Sequence, residues 1–370
     1  MLVAIAMTIA IVMLAPAAAR AEQMAGVQTH LLWSNATPEE IERQLTRLDE
    51  AGADVIRVDV GWASLQSESK DRYEAWVLDA LDRVVARAEA HDIELVLTVT
   101  DTPCWASSAP ANLKQDCTGS WWSRDVQHYP PVDPQDYADG FAHLVDRYRG
   151  RVKAWEVWNE PNSDYYFRSG SAADYAAMVR AAYTAAKRVD PNATILAGAL
   201  SEADYRFTEA LFDHGIKGYF DGFSIHPYSN DRSPLFQHPD PRYSFASGVP
   251  AVHDVLARHG YARPLWLTEF GWQTSTIRGQ EAWMNGVSEW AQGCFIKQAY
   301  NKMQSWDYVK AAFVYELRDE SNDPNSRNAN FGLLEHHGEQ KPAYARFRKA
   351  AAAVENREPV PMAKRCRTAR

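Results

Sequence analysis

"TPEEIERQLTRLDEAGADVIRVDVGW", residues 37–62, sets a helix signal directly before a strand signal. Thr37 can cap, Pro38 takes the first helical position, and Glu40 completes a capping box. Ile41, Leu45 and Leu48 recur at i, i+4 and i+7, and Gly52 ends the run. "DVIRVDVGW" (54–62) is then short and rich in β-branched residues, as a strand requires. The same alternation runs along the whole chain. Strands are expected at 25–33, 54–62, 93–101, 152–159, 194–200, 221–227, 264–270 and 310–317. Helical spacing is found at 37–52, 75–91, 134–149, 172–189, 245–259, 281–305 and 342–354. Such βα alternation predicts an α/β chain whose parallel sheet closes into a single-domain (β/α)8 TIM barrel. An open doubly wound sheet is the alternative, but no Gly-rich phosphate loop follows the first strand.

The 370 residues carry 39 Lys and Arg against 48 Asp and Glu, a formal net charge of −9. So acidic a chain argues against a nucleic-acid partner, which calls for a basic face. "MLVAIAMTIAIVMLA" (1–15) has no charged side chain, is too short to span a bilayer, and runs into "PAAARAEQ". Residues 1–21 therefore read as a secretory signal peptide, with an uncleaved anchor as the alternative. No second stretch approaches membrane-spanning length, so no membrane association is expected after cleavage. Residues 22–356 are expected to form the catalytic domain and 357–370 a basic C-terminal tail. The four cysteines are an even number in an exported chain. Cys104 and Cys117 close a short loop and are expected to pair. Cys294 and Cys366 either pair likewise or remain buried thiols.

In a barrel of this kind chemistry gathers at the C-terminal ends of the strands. Those ends carry His30 and Trp33, Trp62 (beyond Arg57), Asp101, Asn159 and Glu160, His226 and Tyr228, Glu269, and Tyr315 with Glu316. Carboxylates, amides, imidazoles and flat aromatic faces suit a carbohydrate partner. Glu160 and Glu269 follow strands on opposite sides of the mouth and can converge across it. Two carboxylates about 5–5.5 Å apart suit double displacement at an anomeric carbon. Trp33, Trp62, Trp158, Trp272 and Tyr315 are candidate sugar platforms, with plain packing as the alternative for each. Asp101 and Glu316 are given supporting roles. No cluster has metal-ligand spacing, and no cofactor is implied.

"WNEP" ending strand four, "TEFGW" ending strand seven, Arg57 on strand two and "HPY" ending strand six together resemble the clan A glycoside hydrolases. These are retaining enzymes on (β/α)8 barrels. "WEVWNEPN" and "FGLLEHHGEQKPAYARF" are most similar to glycoside hydrolase family 39, and the resemblance covers nearly the whole chain after the leader. It implies Glu160 as acid/base and Glu269 as nucleophile. It further implies Asn159 on the sugar 2-hydroxyl, His226 and Tyr228 lining the subsite, and Arg57 beneath Glu269 holding it ionised. Longer members carry an added β-sandwich for which this chain has no room, so a short single-domain member is expected.

Residues 101–133 exceed a mere connection and hold Cys104, Cys117, Trp105, Trp121 and Trp122. They are expected to form a disulfide-pinned lid with Trp121 and Trp122 on the binding cleft. Tryptophan-rich walls favour endo action on a chain longer than one sugar. A non-catalytic glycan-binding barrel and a transglycosylase with the same residues are the alternative functions. Glu156 lies on the same face as Glu160 but deeper, and as a buried carboxylate it needs a partner, with Arg57 the candidate.

Overall fold

A computed structural model describes residues 22–33 and 37–367. The expected signal peptide lies outside the described residues. Eight parallel strands close in sequence order into one barrel. They are β1 (Met24–Thr29), β2 (Val55–Gly61), β3 (Glu94–Thr100), β4 (Ala154–Val157), β5 (Ile195–Ser201), β6 (Gly222–His226), β7 (Leu265–Phe270) and β8 (Val309–Val314). The main helices around it are α1 (Pro38–Glu50), α2 (Ala75–Ala90), α3 (Pro134–Arg147), α4 (Ala172–Val189), α5 (Tyr205–Asp213), α6 (Phe245–Arg258), α7 (Glu289–Met303) and α8 (Pro342–Glu355).

The opening helix forms as its sequence predicts. The Thr37 side chain accepts a hydrogen bond from the Glu40 amide, and Ile41, Leu45 and Leu48 are buried. Two expectations need correction. Helix α5 was not foreseen, because nine residues are too few for a clear periodicity. The helix expected at 281–305 begins only at Glu289, where Ser288 caps it, after a short 3-10 turn at Ala282–Met284 and an irregular stretch.

Alternation along the strands sorts the barrel interior into layers. At the base, Met24, Val55, Val96, Ala154, Leu196, Trp266, Ala311 and Phe313 form an apolar plug. Gly26 and Gly222 make room for it: a Cβ on Gly26 would lie 2.5 Å from the Phe313 ring, and one on Gly222 would lie 2.7 Å from Trp266. Above the plug the inward side chains turn polar, with Gln28, Arg57, Thr98, Glu156, Ser224 and Thr268 all fully buried. The larger apolar core lies between the barrel and its helices.

Cys104–Cys117 is a disulfide, with an S–S distance of 2.08 Å. Cys294–Cys366 is also bonded and ties the C-terminal turn to α7. Two disulfides fit an extracytoplasmic chain. Among the described residues no helix is long and apolar enough to cross a membrane.

Candidate active site

Above the polar layer opens a cleft of about 640 Å³, lined by the strand ends and the loops after them. Arg57 organises its floor. Its guanidinium, fully buried, donates from Nε to Glu156 Oε2 at 2.7 Å, from Nη1 to Glu269 Oε1 at 2.7 Å and from Nη2 to Asn159 Oδ1 at 2.8 Å. One cation thus serves both carboxylates for which it was a candidate partner. It lies beneath Glu269, as the resemblance implies, and away from the cleft lining, so a role in binding sugar could only be indirect, through the Glu269 and Asn159 side chains it holds.

Glu160 and Glu269 meet as expected. One carboxylate oxygen of each and a ring nitrogen of His226 lie within 4.8 Å of one another. His226 Nδ1 is 3.0 Å from Glu160 Oε1 and 3.6 Å from Glu269 Oε2. Glu269 Oε2 also accepts the Tyr228 hydroxyl at 2.8 Å. Burial pushes Glu269 upward, and His226 and Arg57 pull it back without cancelling that effect, while the charge of Glu160 adds to it. Arg57 therefore offsets only part of the effect of burial, and the expectation that it holds this carboxyl ionised meets an opposing push. Burial lowers His226, but Glu269 and Glu160 outweigh it and raise the imidazole. Glu156 goes the other way: burial would raise it, yet Arg57, His226 and the Thr98 hydroxyl, 2.7 Å from Oε2, hold it below its ordinary value.

The tryptophans are mostly not where the strand ends suggested. Trp33 lines the cleft, 45% exposed and stacked on His30 with ring centroids 3.8 Å apart. His30, Tyr228 and Tyr315 line it too. Trp62, Trp158 and Trp272 are buried and absent from its lining. Strand β4 stops at Val157, and Trp158 takes a φ of +68°, which ends the in–out alternation. The indole therefore turns into the helix layer against Tyr137 and Phe167, donating to the Tyr166 carbonyl. Trp62 donates to Gln66 and packs on Trp105, and Trp272 donates to the Arg232 carbonyl.

Segment 101–133 is a folded arm with its own small core of Cys104, Ala109, Trp121, Val126 and Tyr129. It sends Asp101 and His128 to the cleft. Trp121 is spent in that core and Trp122 is exposed away from the cleft lining, so neither forms the expected wall.

Several cleft residues escaped the sequence reading. Asp59 follows Arg57 at the next inward position of β2. Glu202 ends β5 in the way Glu160 ends β4, and the same strand-end rule would have found it. Tyr166, Glu320 and Arg327 come from loops, where no periodicity points. Burial raises Glu202 well above its ordinary value, with the charge of Glu160 adding to it. Burial and then Asp59 push Asp101 up to about 7. Asp59 itself is held low: burial would raise it, but Arg57 and His30 prevail. His30 Nε2 lies 3.0 Å from Glu316 Oε2 on the far side, away from the carboxylate pair.

Two groups among the described residues bring three metal-ligand atoms together: Glu160, His226 and Glu269, and separately His30, Glu316 and Glu320. In the first, the Arg57 guanidinium already sits on Glu269 and disfavours a second cation there.

The cellulase model of glycosyl hydrolase family 5 matches residues 15–308. No curated protein matches the chain in sequence. Among solved structures, a family 39 glycoside hydrolase from the gut symbiont Bacteroides cellulosilyticus WH2 superposes with a TM-score of 0.71 at 21% identity. That superposition covers 91% of this chain but spans only 64% of the Bacteroides protein. A family 39 enzyme from Xanthomonas axonopodis pv. citri gives 0.65 at 16% identity, covering 90% and 67%. A GH5_18 protein from Streptomyces cattleya, solved with GlcNAc, gives 0.67 at 17% identity, covering 92% and 82%. At such identities the superpositions speak for the barrel alone, whereas the family model spans most of the chain. The chain belongs to the cellulase family, glycosyl hydrolase family 5, a clan A glycoside hydrolase whose barrel is also like that of the family 39 enzymes.

Proposed function

We propose that this protein is a secreted, retaining O-glycosidase acting on a poly- or oligosaccharide by double displacement. One observation carries the reading: Glu160 and Glu269 present carboxylate oxygens within 4.8 Å of each other across the cleft. Inverting enzymes keep their pair about 6.5–9.5 Å apart to admit a water, and retaining enzymes about 5–5.5 Å.

The surroundings divide the labour. Glu269 accepts hydrogen bonds from Arg57 and Tyr228, both of which favour negative charge on it. Two ionised carboxylates at this spacing oppose each other, so the pair tends to retain one proton. These donors suit Glu269 to the nucleophile's part and leave the acid's part to Glu160. Glu269 then attacks the anomeric carbon and forms a glycosyl ester, while Glu160 gives its proton to the departing oxygen. In the second half Glu160 takes a proton from water, which attacks the same carbon and releases Glu269. Asn159, oriented by Arg57, is placed for the sugar 2-hydroxyl. Glu202, kept protonated by burial, can donate a hydrogen bond to a further hydroxyl, and Asp101, raised to about 7, can do so on the acid side of neutrality. Trp33 and Tyr315 offer ring faces. The cleft lining runs from Trp33 to Tyr165, and aromatic residues spread over that span suit endo action on a chain longer than one sugar.

The test is a panel of plant and bacterial polysaccharides with sizing of the products and proton NMR of the first anomer released. Retention of configuration, with activity lost in Glu160→Gln and Glu269→Gln, is the expected result. Inversion, or full turnover in either folded variant, would overturn it. Products formed only when an acceptor sugar is added would identify a transglycosylase instead.

A further inference from the structure

A second group of ligand-type side chains lies on the β1/β8 side of the cleft and takes no part in the proposed chemistry. His30, Glu316 and Glu320 each bring one nitrogen or oxygen atom within 4.8 Å of the others. They line a small side cavity of about 60 Å³ together with Gln28, Trp33 and Asp319. Glu316 is 2% exposed, and its Oε1 is buried with no hydrogen-bond partner. Both ring nitrogens of His30 are buried as well, and neither makes a well-directed hydrogen bond, although Glu316 Oε2 stands 3.0 Å from Nε2. Nearby cations are already engaged: Lys341 donates to Asp319 at 2.7 Å, and Arg318 pairs with Glu40 at 2.7 Å. Two carboxylates, of Glu316 and Glu320, therefore face one imidazole, while the third beside it, Asp59, is shared with Arg57 Nη1 at 3.4 Å.

We infer that His30 Nε2, Glu316 and Glu320 form a binding site for one divalent transition-metal ion, best matched by Zn²⁺, beside the sugar cleft. One imidazole and two carboxylates are a donor set that zinc accepts, with a position left for water. Asp59 Oδ2, 3.6 Å from His30 Nδ1, completes the arrangement. Drawn in by a few tenths of an ångström onto Nδ1, that carboxylate would hold the tautomer in which Nε2 is the ligand. Bonds of about 2.0–2.2 Å require the three atoms to draw together. Glu320, at the rim and touched by the Tyr315 hydroxyl at 3.4 Å, is the side chain free to swing inward. The ion would brace the wall that carries Trp33, stacked on His30, and so act on substrate affinity more than on the bond-breaking step.

The test titrates metal-free full-length protein with ZnCl₂ by calorimetry, measures zinc retained after dialysis, and records thermal unfolding with and without the ion. One equivalent bound and a raised unfolding temperature are expected for the native protein. Glu320→Gln and Glu316→Gln should each weaken binding at least ~10-fold, and Asp59→Asn about 10- to 100-fold, the usual effect of losing an outer-shell partner. Glu320→Gln alters a rim residue and keeps the test valid should Glu316→Gln fail to fold. Glu269→Gln should bind zinc as the native protein does. No retained zinc, equal affinity in folded Glu320→Gln, or loss of binding in Glu269→Gln would each overturn the assignment. None of these readings depends on glycosidase activity, so the site and the proposed function stand or fall separately.

Discussion

Replacing Glu156 and Glu160 by Gln, one at a time, separates the two glutamates of "AWEVWNEPN" by what each loses. Glu156 is fully buried, and its Oε2 receives Arg57 Nε and Thr98 Oγ1, both at 2.7 Å. Removing one charge of a buried pair costs about 3–5 kcal/mol, because the other is left uncompensated. Here Arg57 keeps Glu269 at 2.7 Å and Asp59 at 3.4 Å, which places Glu156→Gln near the lower end, at about 3 kcal/mol. Arg57 also keeps its bonds to Glu269 and Asn159, so turnover should fall by no more than ~10-fold, about 1.4 kcal/mol in the barrier. Glu160 is at the cleft surface with one side-chain partner, His226. Glu160→Gln should therefore unfold within about 1 kcal/mol of the native protein, yet lose ~10²- to 10⁴-fold in kcat. Urea unfolding midpoints and steady-state rates on one polysaccharide read both quantities. The pH dependence adds a sign. Glu156 is held below its ordinary value of 4.5, so its contribution is complete above that value and is lost as pH falls through the lower folded value. The stability gap between native protein and Glu156→Gln should narrow on acidification below 4.5. A stable but inactive Glu156→Gln, beside an active Glu160→Gln, would show that the wrong glutamate has been placed in the chemistry.

Three further outcomes are expected. Tyr228→Phe removes the hydroxyl 2.8 Å from Glu269 Oε2, and kcat/KM should fall ~10- to 100-fold, the weight of a hydrogen bond to a charged group, with unfolding little changed. An unchanged rate would show that this hydroxyl does not support Glu269 in turnover. Trp33→Ala should weaken oligosaccharide binding by about 0.5–1.5 kcal/mol at native stability, whereas Trp158→Ala should cost about 3–5 kcal/mol of stability; calorimetric binding beside chemical unfolding tells the two apart, and the reverse pattern refutes the placement of the indoles. Asp54 is raised by burial to about 6 despite the Ala25 amide 2.7 Å from its carboxylate. A raised carboxyl gives stability that is full below its unfolded value of 3.8 and is lost as pH climbs through 6. Asp54→Asn should thus gain on the native protein in melting temperature between about pH 4 and pH 7, and a gap independent of pH would remove Asp54 as the cause.

Local signals carried the barrel. Helix α1 with its Thr37 cap and strand β2 could be read from twenty-six residues, because capping and periodicity act between near neighbours. The pair Glu160 and Glu269 was legible for a related reason: a parallel barrel sends every strand end to one face, so a carboxylate at a strand end is placed by topology alone. The same rule reached Glu156 and its partner Arg57, and it would have reached Glu202. It failed for Trp158, since one residue at positive φ ends the alternation on which the rule depends. It failed for Trp62 and Trp272 as well, because an indole can satisfy its N–H inside the helix layer as readily as at the mouth. The lid tryptophans were misplaced for another reason. A disulfide fixes where a loop is pinned, not which of its faces turns inward, and Trp121 was taken up by a core of the arm itself.

Charge is where tertiary structure decided most. From the sequence, Arg57 could support the nucleophile or neutralise Glu156; three nitrogens on one fork let it do both and hold Asn159 besides. The upward push on Glu269 arises from burial and the charge of Glu160, more than a hundred residues away in sequence, and that on His226 arises from Glu269 and Glu160 against its burial. By itself the sequence determined the (β/α)8 fold, the strand-end carboxylates and the Cys104–Cys117 bond, all of which follow from short-range patterning. Only the folded chain decided which aromatic rings line the cleft, what surrounds each carboxylate, and that His30, Glu316 and Glu320 converge, because these depend on distances between segments that no local spacing encodes.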